Sequence, residues 1–208
     1  VLALSTIYCM ALLRNSLRTN NMFTLREKVE RENIVANTNE ILLRNKITQA
    51  KEAAGWNGTR KFLVSKKVLE AKDQCSFYFT PHDGRKLPPF EPGQFLTFRL
   101  DIPGQKKQTI RCYSLSDSPK SDYYRCTIKR VPPPRDSDHA PGLSSNYFHD
   151  FVEEGKILDV RAPGGHFYLD TKRQTPVVLI GGGIGLTPVL SMVNHIIDTG
   201  SKRETWFF

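Results

Sequence analysis

Cysteine is scarce in this sequence and poorly spaced for metal. The four cysteines, Cys9, Cys75, Cys112 and Cys126, form no C-x-x-C pair, which argues against a zinc site. The plant-type iron–sulfur spacing C-x4-C-x2-C is absent as well, so no such cluster is expected on this chain. Free thiols in a reducing compartment are the expectation. A dense basic block is also missing. The formal net charge is +9, but residues 1–60 hold 9 Lys and Arg against 5 Asp and Glu, and the remainder holds 21 against 16. Without a clustered patch or a reading module, nucleic-acid binding is set aside. A diffuse positive balance suits anionic cofactors, an acidic redox partner or a membrane surface. Finally, there is no charged n-region or A-x-A site of a secretory signal.

What is present is a soluble, core-forming composition, 39% hydrophobic and 25% charged over 208 residues, enough for one large or two small domains. Residues 1–13 carry no charge, and Arg14 and Arg18 follow. A bilayer span needs about 20 apolar residues. The run therefore reads either as the inner end of a membrane helix over 1–20, its arginines on the cytoplasmic side, or as an amphipathic or buried helix. The chain opens on Val1 and closes on Trp206-Phe207-Phe208, and a fragment is expected. Residues 21–58 read as a polar helical spacer or short coiled coil. Its apolar residues Leu25, Val29, Ile34, Ile41 and Ile47 are too sparse for a core face, and Glu27 with Arg31 offers one i,i+4 pair. Gly55-Trp56-Asn57-Gly58 marks the boundary.

From Lys61 the pattern changes to short β runs: 62–64 with 68–69, 75–80, 95–100, 108–116, 122–130 and a closing run at 156–160. Turn chemistry separates them at Pro81–Gly84, Leu87–Phe90, Pro92–Gln94 and Pro103–Gln105. Strands with regular turns and little intervening helix predict a small antiparallel barrel. A Pro-rich loop, Val131 to Pro141, leads to a helix start at Gly142-Leu143-Ser144-Ser145. The serine pair is expected to cap it, and the bare N–H groups of a first turn bind anions.

The pattern centres on Arg111-Cys112-Tyr113-Ser114. On a strand, Arg111 and Tyr113 face one way, Cys112 and Ser114 the other. Guanidinium suits phosphate, the ring suits a flat heteroaromatic system, and a hydroxyl can reach a polar edge atom. The alternative is an ordinary strand with an exposed Arg and a half-buried Tyr. Farther on, Val177-Val178-Leu179-Ile180 reads as a parallel strand buried on both faces. Gly181-Gly182-Gly183-Ile184-Gly185 and a helix from Thr187-Pro188 to about Thr199 follow, with Gly200 as its stop and a second strand at 204–208. As a G-x-G-x-x-G fingerprint this is imperfect, since Pro188 takes the third place. The physical logic is unchanged: glycines let backbone approach a pyrophosphate, and a helix start favours negative charge.

In this order, Pro92-Gly93-Gln94-Phe95, Arg111-Cys112-Tyr113-Ser114 and Gly182-Gly183-Ile184-Gly185-Leu186-Thr187-Pro188 resemble the ferredoxin–NAD(P) reductase superfamily. That module occurs in flavohaemoglobins and oxygenase reductases. The resemblance covers roughly Lys61 to Phe208. It implies a mainly β then α/β chain: an N-terminal helix, a six-stranded antiparallel flavin-binding barrel over 59–172, and the start of a parallel α/β nucleotide-binding domain over 173–208.

The resemblance also implies roles. Arg111 would hold a flavin phosphate, Tyr113 would pack on the isoalloxazine, and Ser114 would bond near the atom that accepts hydride, with Cys112 between them. Lys129, with the backbone around Ile128 and neighbouring Thr127, would support the adenosine or phosphate region. Gly142, Leu143, Ser144 and Ser145 would line the pyrophosphate. Gly182, Gly183, Gly185, Thr187 and Pro188 would bind the nicotinamide nucleotide. His139, His149 and His166 have no acid–base partner at readable spacing and are expected to be loop or surface residues. The implied activity is hydride transfer from NAD(P)H to FAD, then single-electron delivery to an iron–sulfur, haem or oxygenase partner. The expected location is cytoplasmic, or the cytoplasmic face of the inner membrane if residues 1–13 anchor the chain. The family's determinants of NADH against NADPH lie later than residue 208. A flavin- or nucleotide-binding regulatory module without turnover, and a membrane-tethered structural β-barrel with no cofactor, are the alternatives from other classes.

Overall fold

The computed structural model describes residues 2–136 and 138–208. Within the first helix, the side chains of residues 2–9, 11, 12 and 43–54 lie outside the described set. Cys9 and most of the apolar run 1–13, on which a membrane anchor was expected, fall there, as does Ile47.

The first unit is one helix, α1, Leu2–Ala54. It has no internal glycine or proline to break it, and it ends where Gly55 begins. A division at residue 20 is therefore not visible in the backbone: the expected anchor and spacer are one continuous helix. Leu13, Leu17, Phe23, Leu25, Val29, Ile34 and Ile41 are all exposed, and Arg31 pairs loosely with Glu27 at 3.8 Å. Thr19, Thr24 and Thr38 return their hydroxyls to carbonyls one turn back, a local bond that needs no tertiary partner. Among the described residues no helix is long and apolar enough to cross a membrane, so the anchor expectation finds no support.

The second unit runs from Ala54 to Phe208. Its main sheet contains β1 (Arg60–Ala71), β2 (Gln74–Pro81), β3 (Phe95–Leu100), β4 (Thr109–Ser114), β5 (Tyr124–Lys129) and β6 (Ile157–Gly164). The order is β4-β3-β6-β1-β2-β5, every pair antiparallel. The six expected strands are present, and β6 is longer than the run that signalled it. The edge strands β4 and β5 meet at an isolated bridge, Leu115–Cys126, so the barrel is curled and not fully closed.

Alternation fills it. Phe62 and Val64 on β1, Phe77 and Phe79 on β2, Leu96, Phe98 and Leu100 on β3, and Tyr124, Cys126 and Ile128 on β5 are all buried, each set at the two-residue period of a half-buried strand. Phe148 and Val152 of α2 (Leu143–Phe151 and its C-cap) plug the same core. Trp56 packs on Phe62 and donates its indole N–H to the Val160 carbonyl at 2.9 Å, so the expected boundary segment is already docked on the barrel.

A smaller sheet pairs β7 (Val177–Leu179) with β8 (Thr205–Phe207) in parallel. They flank a 3-10 turn at Gly183–Gly185 and α3 (Leu186–Asp198). Thr199 and Gly200 (φ 61°) end that helix as expected. The expectation of a strand buried on both faces is not met: Val178 is 59% exposed, and Ile180 and Trp206 are exposed too. Only Leu179 is buried, against Leu169, Val189 and Met192.

Candidate functional site

The site is built on β4. Register places Arg111 opposite the buried Phe98 and Tyr113 opposite the buried Leu96, so both lie on the core face, as alternation requires. Tyr113 sits edge-on to Phe98 at 5.9 Å and to Phe148 at 5.2 Å. Burial pushes its phenol up to about 12, against a smaller pull from the Arg111 charge. Arg111, by contrast, is exposed, and its guanidinium has no ion pair or hydrogen bond among the described residues. Cys112 faces the other way, its Sγ 3.4 Å from the Thr97 hydroxyl. Ser114 lies opposite Phe95 and is half-buried.

Helix α2 meets this strand through Phe148. Ser144 lies one turn before Phe148 and so on the same helix face. It is buried, and its hydroxyl has no hydrogen-bond partner. A buried orphan hydroxyl carries a desolvation cost; a ligand oxygen would remove it. The expected serine caps are not formed. The N-cap is Gly142, with no side-chain cap. Ser145 instead donates to the Gly142 carbonyl at 3.1 Å and accepts from the Val131 N–H at 3.2 Å. Those bonds stitch the Pro-rich loop to the helix, whose first-turn N–H groups stay open for an anion. Gly142 cannot be replaced cheaply: a Cβ there would sit 2.7 Å from that of Val131. Leu143 is exposed.

The β5 residues behave differently. The Thr127 hydroxyl lies 2.8 Å from that of Ser76 and donates to Ser116 at 2.9 Å. Ile128 is core, and its carbonyl lies 2.9 Å from His149 Nε2. Lys129 pairs with Asp73 at 3.4 Å. The side chains of Thr127 and Ile128 are thus engaged in the fold, which leaves the main chain and Lys129 as what this strand can offer a ligand. Arg130 holds α2 down, donating to Asn146 at 3.0 Å and pairing with Asp150 at 2.5 Å. Sequence reasoning missed this role; the one local signal is that Asn146 and Asp150 stand one helical turn apart. His149 stacks edge-on near Phe77, whereas His139 and His166 are exposed.

The glycine loop lies beyond β7. Gly182, Gly183 and Gly185 are exposed, and a Cβ built at any of them meets nothing within 4 Å. Only Gly183, at φ 54°, needs glycine for its backbone; the other two leave open space beside the main chain. Thr187 is buried and donates to the Ile184 carbonyl at 3.0 Å, leaving its lone pairs. Pro188 is the third residue of α3, where no intrahelical N–H bond is owed.

Two residues outside the expected set join the halves. Gly93, at φ 108°, lets the Pro92–Gln94 turn lie against the chain at Phe167 and against α3: a Cβ there would be 2.6 Å from the Phe167 carbonyl oxygen, which cannot give way, and 2.5 Å from Met192 Cε, which can. Asp117, three residues after Ser114, bonds to Ser191 and Asn194 of α3. Neither was marked in the sequence as a contact to another element.

The residues around β4 and α2 thus offer an unpaired guanidinium, an aromatic wall, an orphan hydroxyl and a bare helix start, a donor set that fits FAD. The comparisons with known proteins agree. The model of the oxidoreductase FAD-binding domain matches residues 61–168. A flavohemoprotein from Halalkalibacterium halodurans is 44% identical over 153 residues, which is 74% of this chain and 37% of that protein. Among solved structures, the FAD/NAD binding domain of a nitric oxide dioxygenase from Vibrio cholerae aligns with a TM-score of 0.63 at 31% identity. It covers 73% of this chain and 62% of that one. Phthalate dioxygenase reductase, described as modular for electron transfer from pyridine nucleotides to [2Fe-2S], aligns at 0.60 and 31% identity, covering 73% and 43%. The chain therefore spans under two fifths of the flavohemoprotein's length. By the family model and the fold together, the chain belongs to the oxidoreductase FAD-binding domain family.

Proposed function

We propose that this chain is the flavin-reducing module of an NAD(P)H oxidoreductase. Bound FAD would supply the chemistry: it accepts hydride from NAD(P)H and yields electrons singly. The residues supply placement. Arg111 would clamp a phosphate oxygen, Tyr113 would wall the ring system, and Ser114 would offer a hydroxyl to the ring's edge. The open N–H groups after Gly142 and the orphan Ser144 hydroxyl would take the pyrophosphate. Lys129 would add a flanking charge, Leu143 apolar cover, and Cys112 only backbone. Gly182, Gly183 and Gly185 would admit the nicotinamide nucleotide's pyrophosphate to main-chain distance. Direct hydride transfer is governed by proximity, which the placement of these residues serves.

The single observation that carries this reading is the pairing of an unpartnered Arg111 with a buried, unsatisfied Ser144 on elements packed together through Tyr113 and Phe148. The electron acceptor would be haem or an iron–sulfur centre, since the relatives include a flavohemoprotein and a reductase serving [2Fe-2S]. The test is the visible absorbance of the purified protein, identification of the released cofactor, and anaerobic addition of NADH and NADPH to the full-length protein. Released FAD, bleached by either nucleotide, supports the proposal. Bound flavin that neither nucleotide reduces would shift it to a flavin-binding module without turnover. A colourless protein that takes up no flavin sinks it.

A further inference from the structure

We infer that Asp117 is a positioning residue for hydride transfer, fixing the nucleotide loop relative to the flavin strand; this rests on the function proposed above. Asp117 follows Ser114 by three residues, about 10 Å of extended chain at most. Its carbonyl accepts from the buried Ser191 hydroxyl at 2.6 Å, and its Oδ1 accepts from Asn194 Nδ2 at 3.0 Å. Its Oδ2 accepts from Tyr123 OH at 2.9 Å and lies 3.5 Å from Arg125 Nη1. That second set ties the same carboxylate to β5. Both acidic oxygens are therefore used, one toward each half.

The contact continues along the helix. Ser118 and Lys120 both reach Asp198 Oδ2, the lysine at 2.6 Å. Ser191, Asn194 and Asp198 recur at three- and four-residue steps, one face of α3. Helix α3 begins directly after Gly185, about 9 Å along the axis from Ser191. A rigid lever thus runs from Ser114 through Asp117 to the glycine loop. Hydride transfer needs its two reacting atoms roughly 3–3.5 Å apart, and misplacement by 1 Å can cost about 100-fold. The Asp117 carboxylate thus meets Asn194 of α3 on one oxygen and Tyr123 with Arg125 on the other, while Ser191 bonds its main-chain carbonyl.

The experiment uses the full-length protein loaded with FAD. Asp117→Ala leaves Arg125 half-buried without its anion and can damage β5, so the deciding variant is the double substitution Ser191→Ala with Asn194→Ala, which leaves Asp117 bonded to Tyr123 and Arg125. Two readouts are compared with the parent: hydrogen exchange of α3 amides, and flavin reduction by saturating NAD(P)H against reduction by dithionite, which bypasses the nicotinamide. We expect α3 exchange to quicken about ten-fold with barrel amides unchanged. Nucleotide-driven reduction slows about ten- to hundred-fold with KM little altered, and dithionite reduction is unaffected. Asp117→Asn, which retains an acceptor for Asn194, keeps most of the parent's nucleotide-driven rate. Unchanged exchange and unchanged nucleotide-driven rate would overturn the inference, as would an equal loss with dithionite. A parent protein that neither nucleotide reduces would refute the proposed function instead, while α3 exchange would still report whether the contact holds the helix.

Discussion

The Tyr113 ring meets Phe148 edge-on, centroids 5.2 Å apart with planes at 79°. Strand β4 and helix α2 are thereby one packed body, and the tyrosine serves the core and the site at once. Tyr113→Ala should cost about 2 kcal/mol of stability through lost ring contacts and also weaken flavin binding. Tyr113→Phe keeps the rings and should leave the melting temperature nearly unchanged. Thermal melts with and without FAD separate the two contributions.

Arg111 should behave in the opposite way. With no partner to lose, Arg111→Ala leaves apo-protein stability within about 0.5 kcal/mol. A charge-assisted bond to phosphate is worth about 1.5–3 kcal/mol, so FAD affinity should fall roughly ten- to hundred-fold. Riboflavin, which lacks phosphate, is the control: its affinity should not change. Equal losses for both ligands would remove the phosphate role.

Ser144→Ala deletes a buried hydroxyl that bonds to nothing. Apo stability should hold or rise slightly, while FAD affinity falls. Calorimetric titration beside an apo melt would show both signs together, and a clear drop in apo stability would mean the hydroxyl is satisfied in solution.

Gly182→Ala and Gly185→Ala meet no protein atom, so the fold should tolerate either. The added methyl occupies space proposed for the nucleotide, and KM for NAD(P)H should rise several-fold at unchanged flavin content. Gly183→Ala should destabilise as well, because its φ of 54° is strained for any L side chain.

Acid should loosen the molecule through its paired carboxylates. Arg60 and Arg85 hold the Asp83 carboxyl far below the usual range, and Lys120 with Ser118 hold that of Asp198 down. A carboxyl depressed in the folded state contributes stability above its unfolded value, about 3.9, and that contribution fades as pH falls below it. Asp83→Asn should therefore lower the melting temperature at neutral pH and converge on the parent in strong acid. Parallel curves across the whole range would contradict the assignment.

Much of this was legible in the sequence because period and punctuation are local. The alternation of Phe95 to Leu100 and the glycines before α3 needed no tertiary knowledge. The serine caps failed because Ser145 found the Val131 N–H across the Pro-rich loop, a partner that spacing does not reveal. Thr127 was read toward a ligand, but Ser76 and Ser116, distant in sequence, claim its hydroxyl. Val178 and Ile180 look like interior strand residues by composition, yet two paired strands cannot cover both faces. The role of Asp117 was invisible for a similar reason: its α3 partners, Ser191 and Asn194, lie more than 70 residues on.

The sheet order carries a consequence for biosynthesis. Arg60 pairs with Val160, and Phe62 with Leu158. Strand β1 can form its hairpin with β2 as soon as both leave the ribosome, but its other edge must wait for β6. Until then Phe62 and Val64 have half a core, and closing so long a loop is slow. A nascent chain stalled before residue 157 would display that raw edge to chaperones or to its neighbours, because the six-stranded order is complete only with β6 in place.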